Sequence, residues 1–583
     1  MQLSPLKSDE SALHVALATA SVAIPALLAF NLPPSATFLN QAAALIGWGG
    51  WLIVLAAALP ARFGPPFGAA LAALLCALGL LAAAALASPL WTGLPATLSL
   101  SSAGMIAAAA LVALTAAMLQ RHGLGRAAFQ AFCIALVVAG VASTAVGIVQ
   151  VFAPEWTGGH WIASTSVEGR AVGNLRQPNH LSTLLLWSMV AAVWLGEAGL
   201  LKRTATAATS LLLLFGLVLS ASRTGMVGAA MLTLWGLLDR RLARPTRVML
   251  WLAPLAYVLF WLALTRLAPG GEPAFSGDTQ LHRSDISSSR FGIWSNTLAL
   301  IAAHPWAGVG FGEFNFAWTL TPFPDRPVAF FDHTHNLALQ FAVELGLPLA
   351  TAVLALLVWS LVGAFQSARD AIGESAQQLR AALVMVLMIV VHSQLEYPLW
   401  YAYFLLPAAF AFGLCLGAPA RERAPEPGAA RATRPLLVAA MLLMIGGVAS
   451  VLDYWRVAVI FAPPEDAAPL SQRVLEGRRS WFFGHHADYA AATSVADPSK
   501  VMPAFQTATH YLLDTRLMLA WANALNEHGD TDRARHLAQR LREFHNPQSD
   551  EFFEPCTLPA NPASAPPFQC QKPGKRLDYL DFR

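Results

Sequence analysis

Residues 330–346 read FFDHTHNLALQFAVELG. Asp332, His333, His335 and Asn336 stand at the lip of an apolar run that continues to about residue 363. Polar groups in or beside hydrocarbon are costly unless they are paired or at work. The plain reading is that they cap a helix facing water, a task Asp332 or Thr334 could perform alone. The apolar run behind them decides the fold, because it is one of a series.

Comparable runs fall near 12–30, 41–60, 66–87, 97–120, 127–152, 179–200, 205–222, 224–238, 247–268, 335–363, 379–395, 399–417 and 435–460. About 20 apolar residues cross a bilayer as a helix, so the pattern predicts about thirteen spans. The run at 224–238 is short, and 335–363 is long enough to break near Gly346-Leu347-Pro348. Of the 583 residues, 56% are hydrophobic and 12% charged, with mean hydropathy +0.52. A soluble domain carries about 25% charged residues. The chain is therefore expected to be an all-α polytopic membrane protein. The net charge of +3 does not point to a nucleic-acid partner, because the basic residues lie in short loops between apolar runs. The first run lacks a small-residue cleavage site and reads as a retained span.

Orientation follows from the Lys/Arg bias of short loops. With Lys7 inside, the inside loops hold Arg62; Arg121 and Arg126; Lys202 and Arg203; Arg240, Arg241, Arg244 and Arg247; Arg369 and Arg380; and Arg421, Arg423, Arg431 and Arg434. The outside connections 31–40 and 88–96 hold no Lys or Arg. The alternation stays in phase, and the odd count puts everything after residue 460 outside.

The outer face then receives every unusual polar cluster. These are NLRQPNH (174–180), SASRTG (220–225), the loop 269–334 with SSSRFGIW (287–294) and GVGFG (308–312), the stretch around His335, and HSQLEYP (392–398). An active site on that face is the economical explanation. The loop 269–334 is too long for a mere connector. Its interior, RFGIWSNTLALIAAHPW, reads as a helix able to lie along the interface and cover the site. From about 461 the chain turns polar. TRLMLAWANALNEHGDTDRARHLAQRLREF reads as two amphipathic helices around a Gly529-Asp530 turn, one tetratricopeptide-like pair. The organisation expected is thus a transmembrane domain over 1–460 and a small outer helical domain over 461–583, with an irregular Pro-rich tail from 546. Cys556 and Cys570 lie in that tail, and an oxidising outer compartment would join them in a disulfide. Cys76, Cys133 and Cys415 lie in apolar runs and read as small core residues.

Arg223 follows a span directly on the face that the charge bias leaves poor in Arg, which points to an anion. Arg290 is a second candidate, and paired guanidiniums can hold a pyrophosphate by bidentate hydrogen bonds. Pairing of each Arg with a nearby acid such as Asp285 is the bland alternative. His335 can act as a base near neutral pH. Asp332, His333 and His335 make a legitimate metal-ligand set, but they are nearly consecutive and the two histidines would diverge on a helix. No Walker motif or GxSxG elbow is present, and GVGFG does not follow a strand, so no cofactor is expected.

Taken together, SASRTG, SSSRFGIW, GVGFGEF and HTHNLALQFAVELGLP resemble, in this order, the O-antigen ligase and polymerase superfamily. NLRQPNHLSTLLLW, HSQLEYPLWYAYFLLP and the C-terminal helical region resemble its PglL-type O-linked protein oligosaccharyltransferases. The resemblance covers most of the chain from about 170 onward. It implies a GT-C-like, metal-independent membrane enzyme of the bacterial inner membrane. Such an enzyme takes glycan from undecaprenyl pyrophosphate on the periplasmic side and transfers it with inversion. It implies Arg223 and Arg290 on the pyrophosphate and His335 activating or positioning the acceptor hydroxyl of a periplasmic, pilin-like protein. Gln177, Asn179, Tyr397, His392 and His333 would contact substrate. The same chemistry with lipid A core or a growing glycan as acceptor stays open. A transporter is disfavoured, because the polar clusters gather at one face and not at the midplane.

Overall fold

The computed structural model describes residues 8–60, 62–63, 68–165, 167–266, 275–277, 285–324, 326–328, 330–417, 431–432, 434–495, 497–558 and 565–583. Lys7, Arg421 and Arg423, which entered the orientation reading, lie outside the described residues, as does much of 267–284. The described chain is helical apart from a two-residue antiparallel pairing of Arg62–Phe63 with Arg431–Ala432.

Each apolar run forms a helix. In order these are α1 Ser8–Leu27, α2 Phe38–Ala57, α3 Ala69–Ala87, α4 Ala96–Arg121, α5 Gly125–Phe152, α6 Pro178–Glu197, α7 Arg203–Leu219, α8 Arg223–Leu238 and α9 Arg244–Arg266. Helices α10 Asp285–Ala303 and α11 Phe314–Leu320 precede α12 Leu337–Asp370, α13 Glu374–His392, α14 Ala402–Leu416 and α15 Arg434–Phe461. The remainder comprises α16 Leu470–Gly477, α17 Gly484–Ser494, α18 Met502–Tyr511, α19 Thr515–Glu527 and α20 Thr531–Phe544. Among the described residues, nine helices are long and apolar enough to cross a membrane: α2, α3, α4, α5, α6, α9, α12, α13 and α15. Helices α7 and α14 are shorter than the expected runs, because turns at their ends consume residues that hydropathy alone assigns to the run.

The chain forms two compact units, each discontinuous in sequence. The first comprises Met1–Cys76, Ala107–Arg283 and Leu356–Val451; the second comprises Ala77–Ile106, Ser284–Ala355 and Leu452–Arg583. The break expected near 460 follows composition, whereas by contacts the C-terminal residues share a unit with 284–355.

In the first unit α6 is central and nearly every residue from His180 to Leu195 is buried. Lipid tails are as apolar as leucine, so helices here associate through close backbone approach and interhelical hydrogen bonds. A Cβ on Gly413 would stand 2.2 Å from the Ala113 carbonyl oxygen, and one on Gly417 2.1 Å from that of Ala117. These are matched small residues spaced by four, Gly413 in α14 and Gly417 just past its end against Ala113 and Ala117 of α4. Trp187 Nε1 donates to the Met385 carbonyl (3.0 Å), and Gln378 donates to Gln120 (2.8 Å).

The second unit has one hydrophobic core, built jointly by α10, α11 and the C-terminal helices. Ile293 and Leu300 of α10 and Phe314, Trp318 and Leu320 of α11 are buried with Phe505, Leu517, Leu537 and Phe544. Helix α10 is thus a wall of this core, whereas the sequence suggested a separate cover. Asn315 donates to the Phe331 carbonyl (3.1 Å) and accepts from the Leu513 amide (2.8 Å). Arg326 pairs with Glu543 at 2.9 Å while lying over the rings of Trp318 and Phe544. Helices α19 and α20 form the expected amphipathic pair, with Gly529 at φ 83° and Asp530 capping α20. The described part of the tail carries short helical turns, 547–556, Phe568–Cys570 and Tyr579–Phe582, where an irregular chain was expected, and it pairs Cys556 with Cys570 at a Cα separation of 5.3 Å.

Helix α12 breaks where Gly346 adopts φ 75°, ψ 162°. Pro348 has no N–H to offer the Glu344 carbonyl. The Leu347 N–H turns instead to the Pro305 carbonyl (2.7 Å). The carbonyls of Val343 and Glu344 are therefore left for the amides of Val309 (2.8 Å) and Gly310 (3.0 Å). Side chains would block this docking. A Cβ on Gly308 would meet the Val343 oxygen at 2.5 Å, and one on Gly346 the Trp306 oxygen at 2.3 Å. The glycines of GVGFG serve this backbone-to-backbone seat.

Candidate functional site

The polar residues singled out from the sequence divide between the two units. Arg290, His333 and His335 belong to the second; Gln177, Asn179, Arg223, His392 and Tyr397 belong to the first.

In the second unit the DHTHN stretch is a tight loop, and α12 begins only at Leu337. The helix cap is neither Asp332 nor Thr334. It is Asn336, whose side-chain oxygen accepts from the Leu339 amide (3.0 Å). Thr334 is fully buried and its hydroxyl donates to the Asn336 carbonyl (2.8 Å). Its amide donates to Gln340 Oε1 (2.8 Å), and Gln340 donates onward to Glu344 (2.9 Å). Its carbonyl accepts from Trp294 Nε1 (2.9 Å). Between these anchors His335 sits at φ 54°, a left-handed backbone that non-glycine residues seldom adopt. Its ring meets Phe331 edge to face at 5.4 Å. Trp294 lies one helical turn beyond Arg290, so the face of α10 that carries Arg290 is tied by the indole to the loop that carries His335. Burial raises the Asp332 carboxyl, but His333 at 3.1 Å and His335 nearby outweigh it and hold it down to about 2. Asp332 is thus a carboxylate flanked by two imidazoles, with His333 as its closer partner.

In the first unit the polar cluster forms where α6 and α8 begin. Gln177 caps α6, its side-chain oxygen accepting from the His180 amide (2.8 Å). Asn179 bridges two other elements. Its amide donates to Glu396 Oε1 (3.0 Å), and its oxygen accepts from Ser222 Oγ (2.6 Å). Ser222 in turn caps α8 by accepting from the Gly225 amide (3.0 Å). Half-buried Arg223 is the first residue of α8, where unpaired N–H groups already favour an anion. His392 is buried and bonded to Thr183 Oγ1 at 2.7 Å, which ties the end of α13 to α6. Tyr397 stacks on Tyr401 at 6.2 Å, in an aromatic group that continues to Tyr403 and His180.

Sequence reasoning passed over Gln150 and Arg170. Gln150 is fully buried, accepting from the amides of Val172 and Gly173 and donating to the Ala163 carbonyl. Arg170 donates to the carbonyls of Ser220 (2.7 Å) and Ala221 (3.3 Å) and so braces the turn before Arg223. A glutamine inside an apolar helix was the available signal for the first. The buried pair Glu313–His510 (2.8 Å), stacked on Phe316, was also unforeseen. Among the described residues no group of three or more His, Cys, Asp and Glu could hold a metal ion.

Three family models match separate segments of the chain. Residues 171–195 match the protein glycosylation ligase model, residues 208–354 the O-antigen ligase model, and residues 380–554 the model described as virulence factor membrane-bound polymerase, C-terminal. Two curated relatives come from Acinetobacter baylyi. A general O-oligosaccharyltransferase is 29% identical over 258 residues, covering 42% of this chain and 43% of its own. A ComP-specific O-oligosaccharyltransferase is 26% identical over 259 residues, covering 43% of this chain and 45% of its own. The matched region spans under half the length of either relative. Arg223, Arg290 and His335 all fall in the O-antigen ligase segment, and Gln177 and Asn179 fall in the protein glycosylation ligase segment. By these segments and relatives the chain resembles the O-antigen ligases, the protein glycosylation ligases and the O-oligosaccharyltransferases.

Proposed function

We propose that the chain is a glycosyltransferase of the bacterial inner membrane that moves a glycan from undecaprenyl pyrophosphate to Ser or Thr hydroxyls of periplasmic, pilin-like proteins. The observation that carries this reading is His335. A non-glycine residue at φ 54° persists only where its surroundings over-determine it, and such strain gathers at functional sites. Four hydrogen bonds around Thr334 and Asn336 hold the loop, and Trp294 joins it to the helix bearing Arg290.

In the proposed reaction the acceptor oxygen attacks the anomeric carbon as the bond from that carbon to the pyrophosphate oxygen breaks. The hydroxyl proton passes to His335, and inversion follows from the single displacement. The departing pyrophosphate carries its negative charge away unprotonated, so it needs positive charge, which Arg223 and Arg290 supply. Tyr397 offers an aromatic face to a sugar ring. Asn179 and Gln177 line the acceptor side, His333 keeps Asp332 ionised beside the base, and His392 positions α6. The site faces the periplasm, the N-terminus the cytoplasm, and residues 461–583 stand on the periplasmic side of a GT-C-like bundle. The O-antigen ligase segment supports a second reading in which lipid A core is the acceptor.

The test is transfer in vitro from a purified lipid-linked donor to a pilin-like protein or to lipid A core. His335→Ala should lower the rate by about a hundredfold to ten-thousandfold, the range of general-base catalysis. His335→Gly removes the backbone strain as well and should be no better. Recovery in His335→Gly would make the residue a backbone element only. Transfer to lipid A core with none to protein would select the second reading.

A further inference from the structure

We infer that the first unit carries a binding groove for one anionic phospholipid, separate from the residues proposed for transfer. An open groove of about 600 Å³ lies among α6, α7 and α9, lined by buried Met189, Leu214 and Ala253 and by exposed Arg244, whose end is taken as the mouth. Apart from Arg244, its lining is apolar with one exception. Ser210 lines it, is buried, and its hydroxyl has no hydrogen-bond partner among the described residues. An unsatisfied buried hydroxyl on a groove wall marks a place where a ligand's polar atom is accepted.

The mouth is charged in one sense. Arg244 opens α9 and is exposed, and Arg203 opens α7 four residues before groove-lining Ala207, on the same helical face. Lys202, Arg240 and Arg241 lie close in sequence to these two ends and are exposed. The neighbouring acids are engaged elsewhere. Glu197 accepts from the Ala243 amide (2.9 Å) and the Thr246 hydroxyl, and Asp239 pairs with Arg380 (2.7 Å). No carboxylate of the described residues pairs with Arg203 or Arg244. A phosphate head group would meet two unneutralised guanidiniums there.

Length selects the tail. Along α9 the groove runs from Arg244 to Ala256, twelve residues, or about 18 Å at 1.5 Å per residue. One leaflet's hydrocarbon is about 15 Å deep, half of a core of about 30 Å. The groove fits an acyl chain of one leaflet and is too short for a polyprenyl tail, which distinguishes its occupant from the donor proposed above. In the proposed orientation the basic loops put the mouth on the cytoplasmic side, at the end of α8 away from Arg223.

The experiment uses the full chain, extracted from its membrane and examined by native mass spectrometry with identification of retained lipid, then titrated with phosphatidylglycerol and phosphatidylcholine. About one anionic phospholipid per chain should be retained. Arg244→Gln and Arg203→Gln, both exposed, should each weaken phosphatidylglycerol binding about fivefold, the effect of one basic residue near a membrane surface. Ala207→Leu and Ser210→Leu should fill the groove and remove the retained lipid while the head-group arginines stay in place. Equal retention of both lipids, retention unchanged by the filling substitutions, or a polyprenyl phosphate as the bound species would each overturn the inference. Transfer activity is not the readout, so failure here leaves the proposed reaction standing, and the reverse.

Discussion

Asn179 shows how much one residue can organise. A single amide joins the start of α6 to Glu396 and, through Ser222, to the cap of α8 that carries Arg223. Glu396 is buried, and removing a partner from a buried acceptor costs about 1–3 kcal/mol. Asn179→Ala should therefore lower the unfolding temperature of the purified chain. It should also reduce the apparent affinity for the lipid-linked donor, because the turn holding Arg223 loosens. Asn179→Asp should be worse on both counts, since it sets a carboxylate against Glu396. An unchanged melting curve for both variants would show that the bridge carries no weight. None of this was readable in advance, because Asn179 and Glu396 lie 217 positions apart and nothing local pairs them.

The elements most sensitive to pH are α17 and α20, each of which buries histidine. Burial lowers His486 to about 3, and burial together with Arg540 lowers His536 to about 4. His485 is driven well down by burial and by His486 beside it. A histidine in an unfolded chain titrates near ~6.5, so below that pH the unfolded state binds protons that the folded state refuses. Stability is therefore full above about 6.5 and falls as pH drops toward 3–4, by about 2 kcal/mol for each such histidine at pH 5. The melting temperature should fall between pH 7.5 and pH 5, and His486→Phe should flatten that slope. A pH-independent melting temperature would contradict the burial. Asp332, held low, acts only in a lower window, as pH falls from about 4 toward 2. At this scale the sequence was informative where the signal is local. The α19–α20 pair, its turn at Gly529 and the break at Gly346 all follow from neighbouring residues. The cap at Asn336 did not, because Asp332, Thr334 and Asn336 are equivalent candidates until the loop's hydrogen bonds are known.

For the whole molecule the proposed orientation makes a direct prediction. A periplasm-active reporter fused after residue 460 should be active, and one fused at about 425 should not. The opposite pattern would reverse the orientation and place Arg223, Arg290 and His335 on the inner face. Between those fusion points lies α15, among the helices long and apolar enough to cross. The reporter therefore tests one helix whose length is established against a direction inferred from charge alone.

Hydrophobic runs, glycine and proline breaks and the polarity change near 461 determined by themselves that this chain is a multi-helix membrane protein, and where most helices lie. Those signals are sums over neighbouring residues, so they survive without a fold. The tertiary structure alone decided which polar groups meet and which segments share a core. Residues 461–583 look separate in composition, yet Leu517, Leu537 and Phe544 are buried with Phe314, Trp318 and Leu320. Amphipathic helices announce that they have an apolar face but not what covers it. That choice is made by packing among segments about two hundred residues apart, as in Glu313–His510 and Arg326–Glu543.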